Sequence, residues 1–177
     1  MWQMLVGLIG LLGFGAPAWF RARRELATGR VSGPTFVLML LAFGSCGVTV
    51  IIAAWSHAWP LPLSRTTAAV AGLVSIAAGA AIWIGARLVF TFRRTWGLKV
   101  DTLVTHGVYR FTRNPQVLGW FLMYCGFGLL GRSAAAIMLA GLFVLACVPW
   151  ILIEEEALER RFGNQYKSYR LTTRRFV

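Results

Sequence analysis

Residues able to do chemistry gather in two stretches of this 177-residue chain: the half-polar connection from Arg93 to Gln116, and the run Glu154-Glu155-Glu156 at the end of a long apolar segment. Four of the six acidic residues lie between positions 154 and 159. Glutamates at the end of a helix oppose its dipole, whose C-terminus carries partial negative charge and favours cations. They need compensation. One source is ion pairing with neighbours such as Arg160 and Arg161 in solvated headgroups. The other is a ligand whose hydroxyls or positive charge a carboxylate can hold. In the first stretch Gly107 permits close backbone approach, Pro115 suits the first turn of a helix, and Asn114 stands at the N-cap position before it. From residue types alone, that stretch reads equally well as an ordinary helix start with interfacial arginines and as a ligand-holding loop.

The elements that must position these stretches are apolar. Crossing a hydrocarbon core takes about 20 apolar residues in a helix, and the stretches at roughly 2–20, 35–55 and 68–90 meet that length. A shorter run, Pro115 to Leu130, is followed by Gly131-Arg132-Ser133 and a fifth run from Ala134 to Ile153, which is the pattern of a tight helical hairpin. At 1.5 Å per residue the shorter arm reaches only about 24 Å, so it is expected to start beneath the headgroup level and leave room for a cavity there. The expected fold is all-α, a single polytopic membrane domain of about five transmembrane helices. Residues 1–92 form its three-helix apolar part, and 93–177 supply a cofactor-binding loop, the hairpin and a C-terminal helix outside the membrane. Sixteen of the eighteen lysines and arginines lie at or beyond the ends of the first, third and fifth runs, leaving Arg65 and Arg132 on the other side. The positive-inside rule then puts the N-terminus outside and the C-terminus in the cytoplasm. The first run has neither a basic leader nor a small-residue cleavage site, so it is expected to be retained as a membrane helix.

Composition narrows the function classes. Hydrophobic residues make up 58% of the chain and charged residues 14%, against about one-quarter charged in soluble domains. A net charge of +12 without a soluble body to present it argues against nucleic acid and for anionic membrane lipids as partners. Cys46, Cys125 and Cys147 each lie in an apolar run with no CxxC spacing, so no metal site is expected. The spans carry almost no ionisable residues, which disfavours ion conduction or proton relay.

The run Asp101-Thr102-Leu103-Val104-Thr105-His106-Gly107-Val108-Tyr109, then Arg113-Asn114-Pro115-Gln116-Val117-Leu118-Gly119-Trp120, resembles the signature of the isoprenylcysteine carboxyl methyltransferase family, which includes phospholipid N-methyltransferases. After the hairpin, Glu154-Glu155-Glu156-Ala157-Leu158, Phe162-Gly163 and Tyr166 follow in the family's order. The resemblance covers about residues 93 to 177 and implies S-adenosyl-L-methionine as cofactor, a molecule with both a ribose diol and a sulfonium. It further implies that Thr102, Leu103 and Val104 line the adenosine pocket with Tyr109. Asn114 and Pro115, with Arg113 beside them, would fix the methionine end and approach the substrate, Glu154 would meet the cofactor from the fifth helix, and Arg94 is a further contact. An acceptor carrying a proton would need a base, for which His106 and Glu155 are the available groups. The implied acceptor is a lipophilic small molecule or a lipidated group, reached at the cytoplasmic membrane face.

Two positions depart from the pattern. Val117 replaces the family tyrosine, and Trp150 or Ile151 occupies the place where prenylcysteine enzymes carry a substrate-facing arginine. A sterol-reductase-like NADPH enzyme is the nearest alternative, but the ending Arg161-Phe162-Gly163-Asn164-Gln165-Tyr166 lacks the pattern of that group. A non-catalytic membrane scaffold is the alternative from another class.

Overall fold

A computed structural model describes residues 2–27, 31–57, 59–89 and 102–176. Among them the chain is helical: α1 (Trp2–Ala27), α2 (Gly33–Trp55), α3 (Arg65–Val89), a 3-10 turn (Gly107–Arg110), α4 (Pro115–Leu130), α5 (Ala134–Phe162) and α6 (Asn164–Thr172). Helices α1, α2, α3 and α5 are long and apolar enough to cross a membrane, and α4 is the shorter apolar helix. Two bounds differ from the sequence expectation for a physical reason. α1 and α5 run past their apolar stretches because Arg21 and Glu25, and Glu156 and Arg160, pair at i,i+4 and continue the helix in polar surroundings.

α1 packs on α2, α3 on α4, and α4 on α5. α1 and α2 are joined by a polar staple in which Glu25 accepts from the Ser32 amide at 2.6 Å, the Ser32 hydroxyl at 2.7 Å and the Thr35 hydroxyl at 2.8 Å. The closest helix pair is α3 and α4. A Cβ on Gly79 would lie 2.6 Å from the Gly119 carbonyl oxygen, and one on Gly126 would lie 2.7 Å from that of Gly72. The two backbones therefore touch along a seam of glycines spaced seven residues apart on each helix, the small-residue packing that replaces hydrophobic burial in a bilayer. Ser75 adds a hydrogen bond to the Leu122 carbonyl across that seam at 2.7 Å.

A buried cluster on the other side of α4 unites α2, α4 and α5 through Cys46, Val50, Tyr124, Leu139, Phe143 and Ile151. Val117 packs against this cluster. The side chain at the family's tyrosine position thus meets the core, where a valine fills the space. Ile151 is itself buried there, and Trp150 meets Phe43 edge-on with ring centroids 6.2 Å apart.

Candidate functional site

The polar stretches meet where α5 ends and α4 begins. Glu155 is buried, and both its carboxylate oxygens are engaged: Arg113 approaches Oε1 at 3.0 Å, while Arg175 spans both oxygens at 3.1 and 2.8 Å. The Arg113 and Glu155 side chains are only 10% and 11% exposed. Low solvation makes such a pair sensitive, because removing one partner leaves an uncompensated charge. Two guanidiniums on one carboxylate leave the cluster with one excess positive charge. The Arg113 Nε is buried with no hydrogen-bond partner among the described residues. The Arg175 guanidinium is held above its ordinary range, first by its hydrogen bonds to Glu155.

The C-terminal segment completes this site by lying along the 112–114 turn. The Arg113 amide donates to the Arg174 carbonyl at 3.0 Å, and the Thr112 hydroxyl and the Asn114 side-chain amide both donate to the Arg175 carbonyl at 3.0 and 3.1 Å. Asn114 was expected to cap α4 with its side chain. It occupies the N-cap position but makes no cap bond; its side-chain Nδ2 donates to the Arg175 carbonyl instead, which turns the group toward the returning tail. Pro115 holds the first turn as expected and is fully buried. From α6, the Tyr169 hydroxyl donates to the Tyr109 carbonyl at 2.7 Å and Arg113 reaches the Tyr166 hydroxyl at 3.5 Å. Burial, then the Glu155 charge, push the Tyr166 hydroxyl above the usual tyrosine range, and burial raises Tyr169 to about 12.

Upstream, Gly107 has φ of +63°, a conformation that favours glycine, and a Cβ there would press on Val89 of α3. That turn brings Tyr109 and Val104 against Ala86 in a small buried cluster on α3. The Tyr109 hydroxyl is raised above its ordinary range, chiefly by burial and next by the charge of Glu154, while a hydrogen bond from the Gln116 side chain opposes the shift. Tyr109, Glu154 and Gln116 therefore converge. Glu154 is accessible to solvent, as are Thr102 and His106, and Leu103 is half-buried. Of the expected site residues, Glu155, Arg113, Asn114 and Pro115 come together in one group, and Tyr109, Val104 and Glu154 in its neighbour. Thr102 and His106 lie at the surface, and Arg94 lies outside the described residues.

Sequence reasoning missed several members. Arg175 and Thr112 join the Glu155 cluster through long-range contacts with no local signal. On α3, the Arg87 guanidinium stacks over the Trp83 ring at 4.9 Å, and both Arg87 Nε and Trp83 Nε1 are buried without a hydrogen-bond partner among the described residues. Trp120 of α4 meets Trp83 edge-on at 5.8 Å. A near-membrane arginine between tryptophans was visible in the sequence, though not its unmet donors. Among the described residues no group of histidine, cysteine and acid could hold a metal ion.

A family model described as phospholipid methyltransferase matches residues 66–165. The chain belongs to the phospholipid methyltransferase family. No curated protein and no solved structure matches it. The family match runs from the start of α3 into α6, so it takes in Arg87, Tyr109, Arg113, Glu154 and Glu155. Tyr166, Tyr169 and Arg175, which close this methyltransferase's polar cluster from the C-terminal side, lie beyond the matched residues.

Proposed function

We propose that this membrane methyltransferase uses S-adenosyl-L-methionine to methylate a lipophilic acceptor, lipidated or a lipid itself, at the cytoplasmic face. The observation carrying this reading is the convergence of two complementary half-sites where α4 begins and α5 leaves its apolar stretch, in a chain of this family. One is a cationic cluster around buried Glu155 with an unmet donor on Arg113, and the other is Glu154, an exposed residue beside Tyr109. These residues fit the cofactor. The Arg113 Nε and the cluster's excess positive charge suit its carboxylate, with Asn114 and Pro115 fixing the turn that presents them. Glu154 suits its ribose hydroxyls or cationic groups, and Val104 and Tyr109, with Thr102 and Leu103 at the rim and Arg94 a further contact, offer the apolar wall an adenine needs. When bound, the cofactor supplies an electrophilic methyl group on a sulfonium.

The protein's own task is then alignment and exclusion of water, which can contribute about 7–11 kcal/mol towards the barrier. Glu155 is assigned to positioning: with both oxygens held by arginines, it fixes Arg113 and the returning tail. Removal of a proton from an amine acceptor falls to His106, whose ring is exposed beside the Gly107 turn. The unmet donors of Arg87 and Trp83 suit an acidic group on the acceptor, such as a phosphate, and the exposed edge of Trp120 marks its approach from between the helices. The distribution of sixteen basic residues in sequence, at or beyond the ends of the first, third and fifth apolar runs, supports a cytoplasmic orientation.

Transfer of a labelled methyl group from S-adenosyl-L-methionine to a panel of phospholipids, prenylcysteines and water-soluble amines tests this reading. Label in the lipid-soluble fraction alone is expected. Methylation only of water-soluble acceptors would overturn the assignment of a lipophilic acceptor.

A further inference from the structure

At the end of the bundle opposite the Glu155 cluster, the turn of the helical hairpin is built into the loop before α3. The Leu61 amide donates to the Arg132 carbonyl at 2.7 Å, the Ala134 amide donates to the Trp59 carbonyl at 2.9 Å, and Pro60 bridges Ser133 in antiparallel fashion. His57 Nδ1 donates to the Gly131 carbonyl at 2.7 Å, and one Arg132 nitrogen donates to the Leu63 carbonyl at 3.1 Å. His57 and Arg132 are both held in left-handed backbone conformations, with φ of +49° and +48°. For residues other than glycine that conformation costs free energy and persists only where the surroundings impose it.

The product of this construction is a half-open cavity of about 570 Å³ lined by His57, Arg65, Ala68, Leu130 and Arg132. Arg65 and Arg132 are the two basic residues set apart from the other sixteen, and both face this one cavity. The six acids stand at 25, 101, 154, 155, 156 and 159, so neither loop at this end contains a carboxylate. The contrast with Glu155, which draws two arginines to itself, is direct. α3 also begins here at Arg65, adding the positive end of its dipole. An anion that pairs with them would come from outside the chain. Exposed Trp55 and Trp59 flank the same loop, and such tryptophans mark the headgroup level.

We propose that this cavity binds the phosphate of an anionic lipid headgroup, with Arg65 and Arg132 as charge partners and His57 Nε2 as a further polar contact. A free phosphate shares the same chemistry, and the experiment separates the two sources. Full-length protein in detergent is titrated with phosphatidylglycerol and with zwitterionic phosphatidylcholine, and the first lipid adduct is followed by native mass spectrometry. The Arg65 side chain makes no hydrogen bond or ion pair with the described residues, so Arg65→Gln should fold normally. Its first phosphatidylglycerol adduct is expected to weaken about fivefold, and Arg65→Gln with Arg132→Gln further still. Arg160→Gln, at the opposite end, should leave that adduct unchanged. Displacement of the adduct by millimolar inorganic phosphate would assign the site to free phosphate; persistence would assign it to the headgroup. Equal affinity in wild type and Arg65→Gln, or no preference for phosphatidylglycerol over phosphatidylcholine, would overturn the proposal.

Discussion

Helix α4 is held on its two sides by opposite means. Against α3 it presents bare backbone, with Gly119 and Gly126 closing on Gly79 and Gly72 and one serine hydrogen bond across the seam. At its N-terminal end it is tied by charge: Arg113 and Arg175 form a cluster around buried Glu155 that exists only when residues 173–176 return to the 112–114 turn. The seam is local shape, complete once two neighbouring helices meet. The cluster joins three distant parts of the chain and leaves one donor, the Arg113 Nε, unmet among the described residues.

Breaking the charged side should have the largest effect. Glu155→Ala leaves two guanidiniums facing each other and is expected to lower stability by about 3–5 kcal/mol, read as a fall in thermal unfolding temperature in detergent, with loss of methyl transfer. If Glu155→Ala unfolds like wild type, the cluster is not what holds the tail. The glycine seam should respond less. Gly119→Leu forces a side chain into the α3 backbone at a cost of about 1–3 kcal/mol, whereas Gly13→Ala on α1, where an added Cβ meets nothing within 4 Å, should leave stability the same or slightly raised. Equal outcomes for the two glycine variants would remove close packing as the explanation of the seam.

The smallest effect comes from pH. Tyr169 holds its proton to about 12 in the fold, against about 10 in an unfolded chain. A raised folded value means that its contribution is intact below about pH 10 and declines as pH climbs towards 12. Unfolding measured across that window should show the decline in wild type and a shallower one in Tyr169→Phe.

The apolar architecture was legible because span length and hairpin turns are local signals. The run read as about Pro115 to Leu130, from a proline at its start and Gly131 after its end, is helix α4 (Pro115–Leu130). The resemblance also brought the 101–120 and 154–158 motifs together across the hairpin, with Glu155 as a candidate base and without its pairing to Arg113. Their partner Arg175 stayed hidden for a reason that applies widely: Thr112 and Asn114 donate to the Arg175 backbone carbonyl in a tail some 60 positions away, and nothing in a tail's composition announces which turn it will follow. Asn114 shows the same limit. Its residue type and position are those of a helix cap, and a competing tertiary hydrogen bond redirected its side chain. The glutamate run resolved into different fates. Glu156 pairs with Arg160 as neighbours in sequence suggest, Glu155 pairs with remote arginines, and Glu154 remains accessible beside Tyr109.

That exposed residue offers the most direct test of cofactor use. Titration of detergent-purified protein with S-adenosylhomocysteine by calorimetry, in wild type and Glu154→Ala at matched unfolding temperature, should give saturable binding that weakens about tenfold or more in the variant, the loss of about one charged hydrogen bond. Absence of binding in wild type, or unchanged affinity in Glu154→Ala, would contradict the assignment of this junction as the S-adenosyl-L-methionine site.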